Sequence, residues 1–135
     1  MSKKRSKTYA VKALYIKGVR MAEECIFCRI VAGEIPADIV YQDEDFLAFR
    51  DIMPRAPTHV LIIPKIHITS VAELTDGQQK LAGRLIIIAK NLAKKQGIAG
   101  KGYRLVINCG PEGGQVVPHL HLHLLGGRQM DARLG

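Results

Sequence analysis

The sequence predicts an α+β domain built on a five-stranded antiparallel sheet with two helices. Three observations carry that expectation. Five segments have the length and apolar character of strands, and two of them are separated only by Asp43-Glu44-Asp45, the kind of short turn that joins antiparallel neighbours. Only two stretches repeat apolar residues at helical spacing.

The first of these runs from Glu23 to Ala32, with Ile26, Phe27 and Ile30 on one side and Gly33 as a stop. Ile39–Gln42 and Phe46–Phe49 follow as the strand pair. Pro54 and Pro57 mark a loop, and Val60–Ile63 is a continuous apolar run of strand length. The longest periodic stretch begins after Thr75-Asp76-Gly77; Leu81, Leu85, Ile88 and Leu92 line one helical face, and Gly97 ends it. Tyr103–Asn108 and His119–Leu125 complete the strands, with the glycine-rich segment 110–114 between them.

A chain of 135 residues can bury one ordinary core, and nothing in it repeats or reads as a long linker. We divide it into a basic tail, residues 1–20, and one domain, residues 21–135. The net charge of +8 belongs mainly to the tail, whose Lys3, Lys4, Arg5, Lys7, Lys12, Lys17 and Arg20 leave only +1 for the domain. Such a tail can attract nucleic acid or an anionic membrane, can be a solvated arm, or can reflect an over-long start ahead of Met21. The near-neutral body argues against a nucleic-acid face on the domain itself. No apolar run approaches a membrane span of about 18 residues, no secretory leader is expected, and an odd three cysteines fit a reducing, cytoplasmic setting better than a disulfide framework.

The sharpest feature is His119-Leu120-His121-Leu122-His123-Leu124-Leu125. Side chains alternate faces along a strand, so the three histidines share one face while Leu120, Leu122 and Leu124 pack into the core. Three imidazoles on one surface can bind a metal, bind an anion or supply a nucleophile with proton-handling neighbours; a merely solvated face is the bland alternative. The segment before them, Asn108 and then Gly110-Pro111-Glu112-Gly113-Gly114-Gln115, favours phosphate chemistry. Glycines let main-chain N–H groups approach an anion, and Asn108 and Gln115 offer side-chain donors.

The histidine run resembles the signature of the histidine triad family. Cys25-Ile-Phe-Cys-Arg-Ile, Glu34-Ile-Pro-Ala, Leu47-Ala-Phe-Arg-Asp-Ile, Ala56-Pro-Thr-His-Val-Leu-Ile-Ile-Pro-Lys and Gly126-Gly-Arg-Gln-Met extend the likeness to its Hint branch over residues 25–130. That branch comprises homodimeric purine-nucleotide phosphoramidases. The resemblance implies that His121 attacks the α-phosphorus of a nucleotide and forms a phosphohistidine that water hydrolyses. His123, Asn108 and backbone N–H groups around Gly114 and Val116 would hold the phosphate oxygens, with Gln115 beside them. His119 and His59 would tune the nucleophile. Ile26, Phe27, Ile30, Phe49 and Ile52 would line the base pocket, and Asp51 would accept from the ribose hydroxyls; by composition alone these apolar residues are equally good core. Val116 stands where the branch carries a serine that helps the leaving group, and the chain has no tryptophan after Gly126-Gly-Arg-Gln-Met to reach a partner subunit's site.

Cys25 and Cys28 form a Cys-x-x-Cys pair, which alone can be incidental, redox-active, packed or metal-binding. With His67 and His119 they would complete a Cys₂His₂ zinc site. Bacterial members and the uridylyltransferase branch carry a structural zinc on matching positions, so zinc is expected here; Cys109 has no such partner. The expected activity is hydrolysis of purine nucleoside phosphoramidates or acyl-nucleotides to a nucleoside monophosphate. A dinucleoside polyphosphate hydrolase, a nucleotidyl transferase, a zinc-containing regulatory protein with little turnover, and an RNA-associated protein acting through the tail are the alternatives.

Overall fold

A computed structural model describes residues 24–134 and, ahead of them, the paired two-residue strands β1 (Tyr15–Ile16) and β2 (Val19–Arg20). Most of the basic tail, Met21 and Glu23 lie outside the described residues. The first helix, α1, spans Ile26–Val31 and starts later than its periodicity suggested. The Cys25 side chain caps it by accepting from the Cys28 N–H, which takes Cys25 out of helical conformation.

Five strands form the main sheet: β3 (Ile39–Gln42), β4 (Phe46–Arg50), β5 (Thr58–Pro64), β6 (Tyr103–Val106) and β7 (Leu122–Gly126). Their order is β3-β4-β5-β7-β6, and every pairing is antiparallel. The β3–β4 turn is built by Asp43, whose Oδ1 accepts from the N–H groups of Asp45 and Phe46, each at 2.8 Å. The second helix, α2 (Gln79–Lys95), follows a 3₁₀ turn at Asp76–Gln78 that Thr75 and Gln78 close with a capping box. Gly97 takes φ +77° just beyond its end, a conformation that glycine adopts without steric cost.

Alternation along β4, β5 and β7 sorts side chains onto two faces. One carries Phe46, Ala48, Val60, Ile62, Leu122 and Leu124 against Leu85, Ile88, Ala89 and Leu92 of α2. The other carries Leu47, Phe49, Leu61 and Ile63, packed with Phe27 of α1 and Cys25. Burying one aliphatic or aromatic side chain stabilises by about 1.5–3 kcal/mol, so both layers contribute heavily to holding the sheet. His59 follows Thr58 on β5 and precedes Val60, so it projects from the α1 face together with Leu61 and Ile63.

The strand expected over His119–Leu125 begins in fact at Leu122. His119–His121 form an irregular approach whose Leu120 N–H donates to the Ile68 carbonyl at 2.6 Å instead of to a neighbouring strand. Leu120 still reaches the α2 face and His119 and His121 the α1 face, so the alternation survives without the ladder. The strand expected over Tyr103–Asn108 is likewise shorter and ends at Val106, which frees Ile107–Cys109 to turn into the glycine loop. Among the described residues no helix is long and apolar enough to cross a membrane.

Candidate functional site

Four imidazoles gather along the α1 face of β5 and β7. His119 is fully buried, His59 and His121 are nearly so, and His123 is half-buried. Phe27 wedges its ring against those of His119 (5.8 Å between centroids) and His121 (5.2 Å), and meets Phe49 edge-on at 5.4 Å. The His121 and His123 rings lie 5.0 Å apart.

Hydrogen bonds assign the protons on these rings. His121 Nδ1 stands 2.6 Å from the His119 carbonyl oxygen. A carbonyl can only accept, so Nδ1 carries the proton and Nε2 of the neutral ring keeps its lone pair. His119 Nε2 lies 2.9 Å from the Pro64 carbonyl, so its proton is there and its Nδ1 lone pair points elsewhere. His59 Nδ1 accepts from the Arg55 N–H at 3.1 Å, which places the His59 proton on Nε2. That N–H faces His123 Nδ1 at 2.9 Å and Asp51 Oδ2 at 3.5 Å, and His123 in consequence carries its proton on Nε2.

Burial disfavours the charged forms of His59, His121 and His123. Burial pushes the pKa of His121 and of His59 below the ordinary imidazole value, against smaller upward pulls from the His119 carbonyl on His121 and from Asp51 on both. His123 is lowered to about 4, by burial first and then by His121 and His59. A neutral His121 is what a nucleophilic nitrogen requires.

His119 Nδ1 points to a second constellation, 3.3 Å from Cys25 Sγ and 3.4 Å from Cys28 Sγ. Cys28 Sγ is also 3.3 Å from His67 Nδ1. One ligand atom from each of Cys25, Cys28, His67 and His119 lies within 4.8 Å of the other three. Ligand–ligand separations of about 3.5 Å follow from tetrahedral zinc with Zn–S near 2.3 Å and Zn–N near 2.0 Å. The donor set fits zinc in kind as well as in spacing, and the Pro64 carbonyl fixes the His119 tautomer as outer partners of zinc-bound histidines do. The Cys25 thiol is lowered to about 3, foremost by its hydrogen bond with Cys28, so a thiolate is ready for the metal.

The remaining expected residues are more dispersed. Asp51 Oδ1 accepts from the Met53 N–H at 2.8 Å, so one oxygen shapes the loop while the other faces His59. Ile26 is exposed, Ile30 half-buried, and Phe27 and Phe49 are core. Ile52 and Val116 stand almost entirely in solvent, at 92% and 88% exposure. In the glycine loop Asn108 Nδ2 donates to the Gly113 carbonyl at 2.8 Å. Gln115 gives its amide protons to the Thr69 and Val117 carbonyls and accepts from the Gly110 N–H. The Gly114 N–H donates to the Pro111 carbonyl, with φ +80°. Sequence reasoning missed three main-chain groups that orient the histidines, the Pro64 and His119 carbonyls and the Arg55 N–H; backbone atoms leave no signature in residue identity.

A sheet flanked by one long helix, with alternating histidines opposite it, defines the class. The chain belongs to the histidine triad (HIT) family, whose HIT domain model matches residues 32–130, and it is a hydrolase of that family. It is 52% identical over 114 residues to the purine nucleoside phosphoramidase of Escherichia coli strain K12, covering 84% of this chain and 96% of that protein. It is also 52% identical over 108 residues to the 14 kDa zinc-binding protein of Zea mays, covering 78% and 84% respectively. The crystal structure of a HIT family hydrolase from Legionella pneumophila Philadelphia 1 superposes with a TM-score of 0.80 at 53% identity, over 82% of this chain and 99% of that one. The Cys25, Cys28, His67 and His119 cluster is consistent with zinc.

Proposed function

We propose that this hydrolase cleaves the bond to the α-phosphate of purine nucleoside phosphoramidates or acyl-nucleotides through a phosphohistidine on His121. The observation that carries the reading is the 2.6 Å contact of His121 Nδ1 with the His119 carbonyl, which leaves Nε2 unprotonated. The likeness to the E. coli purine nucleoside phosphoramidase supports the substrate class.

In this reading Nε2 attacks the α-phosphorus and the P–N bond of a phosphoramidate breaks, the amine taking a proton from solvent that the attacking water gives back in the second half. From an acyl-nucleotide the P–O bond breaks and a carboxylate leaves. Attack gives the His121 ring positive charge, which the His119 carbonyl stabilises because it already holds the Nδ1 proton. His123 presents its Nε2–H to the phosphate, and His59 fixes that orientation from behind. Water then attacks phosphorus on the second half, the P–N bond to His121 breaks, and a nucleoside monophosphate leaves. The neutral ring is restored with its proton still on Nδ1. Asn108 and the loop N–H groups near Gly114 and Val116 line the phosphate side, Gln115 holding that loop in shape. Ile26, Phe27, Ile30, Phe49 and Ile52 offer the apolar surface for a base, and Asp51 accepts from the ribose. Zinc, held by Cys25, Cys28, His67 and His119, supplies rigidity and no reacting atom.

We further infer a cytoplasmic homodimer. The Cys25 and Cys28 sulfurs lie against His119 and His67, and zinc thiolates persist in a reducing compartment. β6 is an edge strand, and Ile86 and Ile87 on α2 are exposed, a combination that a second copy would cover. The basic stretch of residues 1–20 is a separate appendage in this reading.

The test is mass spectrometry of intact protein and peptides after a brief acid-free quench with adenosine phosphoramidate, on wild type and His121→Ala. An AMP adduct on His121 with AMP release in wild type, and neither in the variant, is the expected result. An adduct that is not released indicates a transferase or a regulatory protein. Neither adduct nor release from wild type overturns the reading and favours polyphosphate substrates.

A further inference from the structure

We propose that Arg128, in the segment after β7, is a positioning residue that sets the tautomer of His59 through the loop of residues 51–57. The proposal rests on the reading of His59 as part of the site, but not on the identity of the substrate. It stands on three contacts in series.

The chain leaves β7 through Gly126 and Gly127, and Gly127 takes φ +96°. A Cβ at Gly127 would stand 2.9 Å from Pro57 Cβ, so the outgoing backbone lies directly on the Pro57 ring of the loop. One residue on, Arg128 Nη2 donates to the Arg55 carbonyl at 2.9 Å, while Nη1 donates to the Gln129 carbonyl at 3.1 Å and steadies the guanidinium. Arg55 in turn gives its own N–H to His59 Nδ1 at 3.1 Å. The arginine thus grips the carbonyl of the residue whose amide decides where the His59 proton sits.

The consequence for the site is directional. With Nδ1 occupied as an acceptor, the His59 proton is held on Nε2 between His123 Nδ1 and Asp51 Oδ2. If the loop moves away, Nδ1 can take the proton, and His59 then offers His123 a lone pair where it had offered a donor. Two lone pairs would face each other at 2.9 Å, and His123 would turn or take a different tautomer. A guanidinium suits the role because it carries several donors in a fixed plane, whereas a lysine supplies a single mobile point. Further along, Arg104 on β6 donates to the Asp131 and Arg133 carbonyls at 2.7 and 3.0 Å, so the segment is pinned at a second place that does not reach the loop.

The experiment is two-bond ¹H–¹⁵N correlation spectroscopy of the imidazoles in full-length, zinc-loaded protein, with no substrate present. Wild type should show His59 with an unprotonated Nδ1. Arg128→Gln should convert that signal to a mixture of tautomers, Arg128→Lys should restore it in part, and Arg104→Gln should leave it as in wild type. In steady-state assays Arg128→Gln should lower kcat about tenfold with KM changed less than about twofold, the scale seen when groups that orient a reactive residue are removed. Should Arg128→Gln lose its native spectrum, Gly127→Ala, which crowds Pro57, is read in its place and should shift the same signal. An unchanged His59 tautomer in the folded variant overturns the proposal. A shifted tautomer in a protein that shows no phosphoramidate turnover would sustain it and count against the reaction assigned above.

Discussion

His121 donates its Nδ1 proton to the carbonyl oxygen of His119 across 2.6 Å, while the His119 ring turns its own Nδ1 toward Cys25 and Cys28. The Cys/His cluster and His121 therefore share one residue, with the His119 side chain committed to the first and its main chain to the second. Anything that lets the His119 ring swing also moves the acceptor that fixes the His121 tautomer. The two sites are built as one unit on the irregular stretch ahead of β7.

That sharing makes zinc a determinant of His121 order. One zinc per chain is expected by elemental analysis, falling below half in Cys28→Ser and His67→Ala. Because a site of this kind contributes folding free energy, its loss should cost about 3 kcal/mol or more, or roughly 10 °C in Tm. Removing the metal with a chelator should also broaden the His121 imidazole signals while those of His59 stay sharp. Full zinc occupancy in both variants would count against this ligand set.

Replacing His121, the nucleophile we propose, should be far more severe than replacing its neighbours. His121→Ala is expected to lower kcat by about 10⁴-fold or more, and His59→Gln by a smaller factor near 10². Both rings are buried and Phe27 packs on His121, so thermal unfolding of each variant is measured alongside to separate loss of fold from loss of chemistry. Comparable losses in kcat for the two variants would show that His121 has no special role.

Acid should act on both activity and stability, in the same direction. His121 is neutral below the ordinary imidazole range, so the acid limb of kcat/KM should have its midpoint below 6.5. For stability, His123 titrates near 4 when folded and near 6.5 when unfolded. Between those values the unfolded chain binds a proton that the folded chain refuses, so stability is full above about 6.5 and is lost as pH falls toward 4. Chemical denaturation at pH 7, 5.5 and 4.5 should show that decline, with a shallower slope in His123→Asn. An acid limb centred at or above 6.5 would contradict the buried, neutral cluster.

Phe27 and Leu122 separate packing from chemistry. Both are buried, on opposite faces of the sheet, and truncating either to alanine should cost about 2–5 kcal/mol. Phe27→Ala should in addition disturb the His119 and His121 ring signals, because its ring touches both. Leu122→Ala should leave them in place. Identical imidazole spectra for the two variants would mean that Phe27 acts only as core.

Much of the fold was legible in residue order alone. Periodicity and apolar run length identified both helices and the five strands of the main sheet but not the short β1–β2 pair, and the glycine at 97 marked the end of α2 where the backbone does turn left-handed. The ends of elements were less legible. α1 starts late because the Cys25 side chain caps it, and β7 starts late because Leu120 bonds to Ile68 outside the sheet. Both are long-range or side-chain decisions that no local pattern encodes. In the candidate site, the His119–His121–His123 alternation and the Cys-x-x-Cys pair were visible as spacings, and His67 joined them only through likeness to a family.

What the sequence determined by itself is which side chains are available and on which face they fall, because a strand's two-residue period and a helix's 3.6-residue period are local properties of the backbone. What only the tertiary structure decided is where each proton sits. The tautomers of His59, His119 and His121 are set by the Arg55 N–H and the Pro64 and His119 carbonyls, two of the three supplied from other parts of the fold or a neighbouring loop. A main-chain amide or carbonyl is the same in every residue, so only its position in space makes it a donor or acceptor to a particular ring.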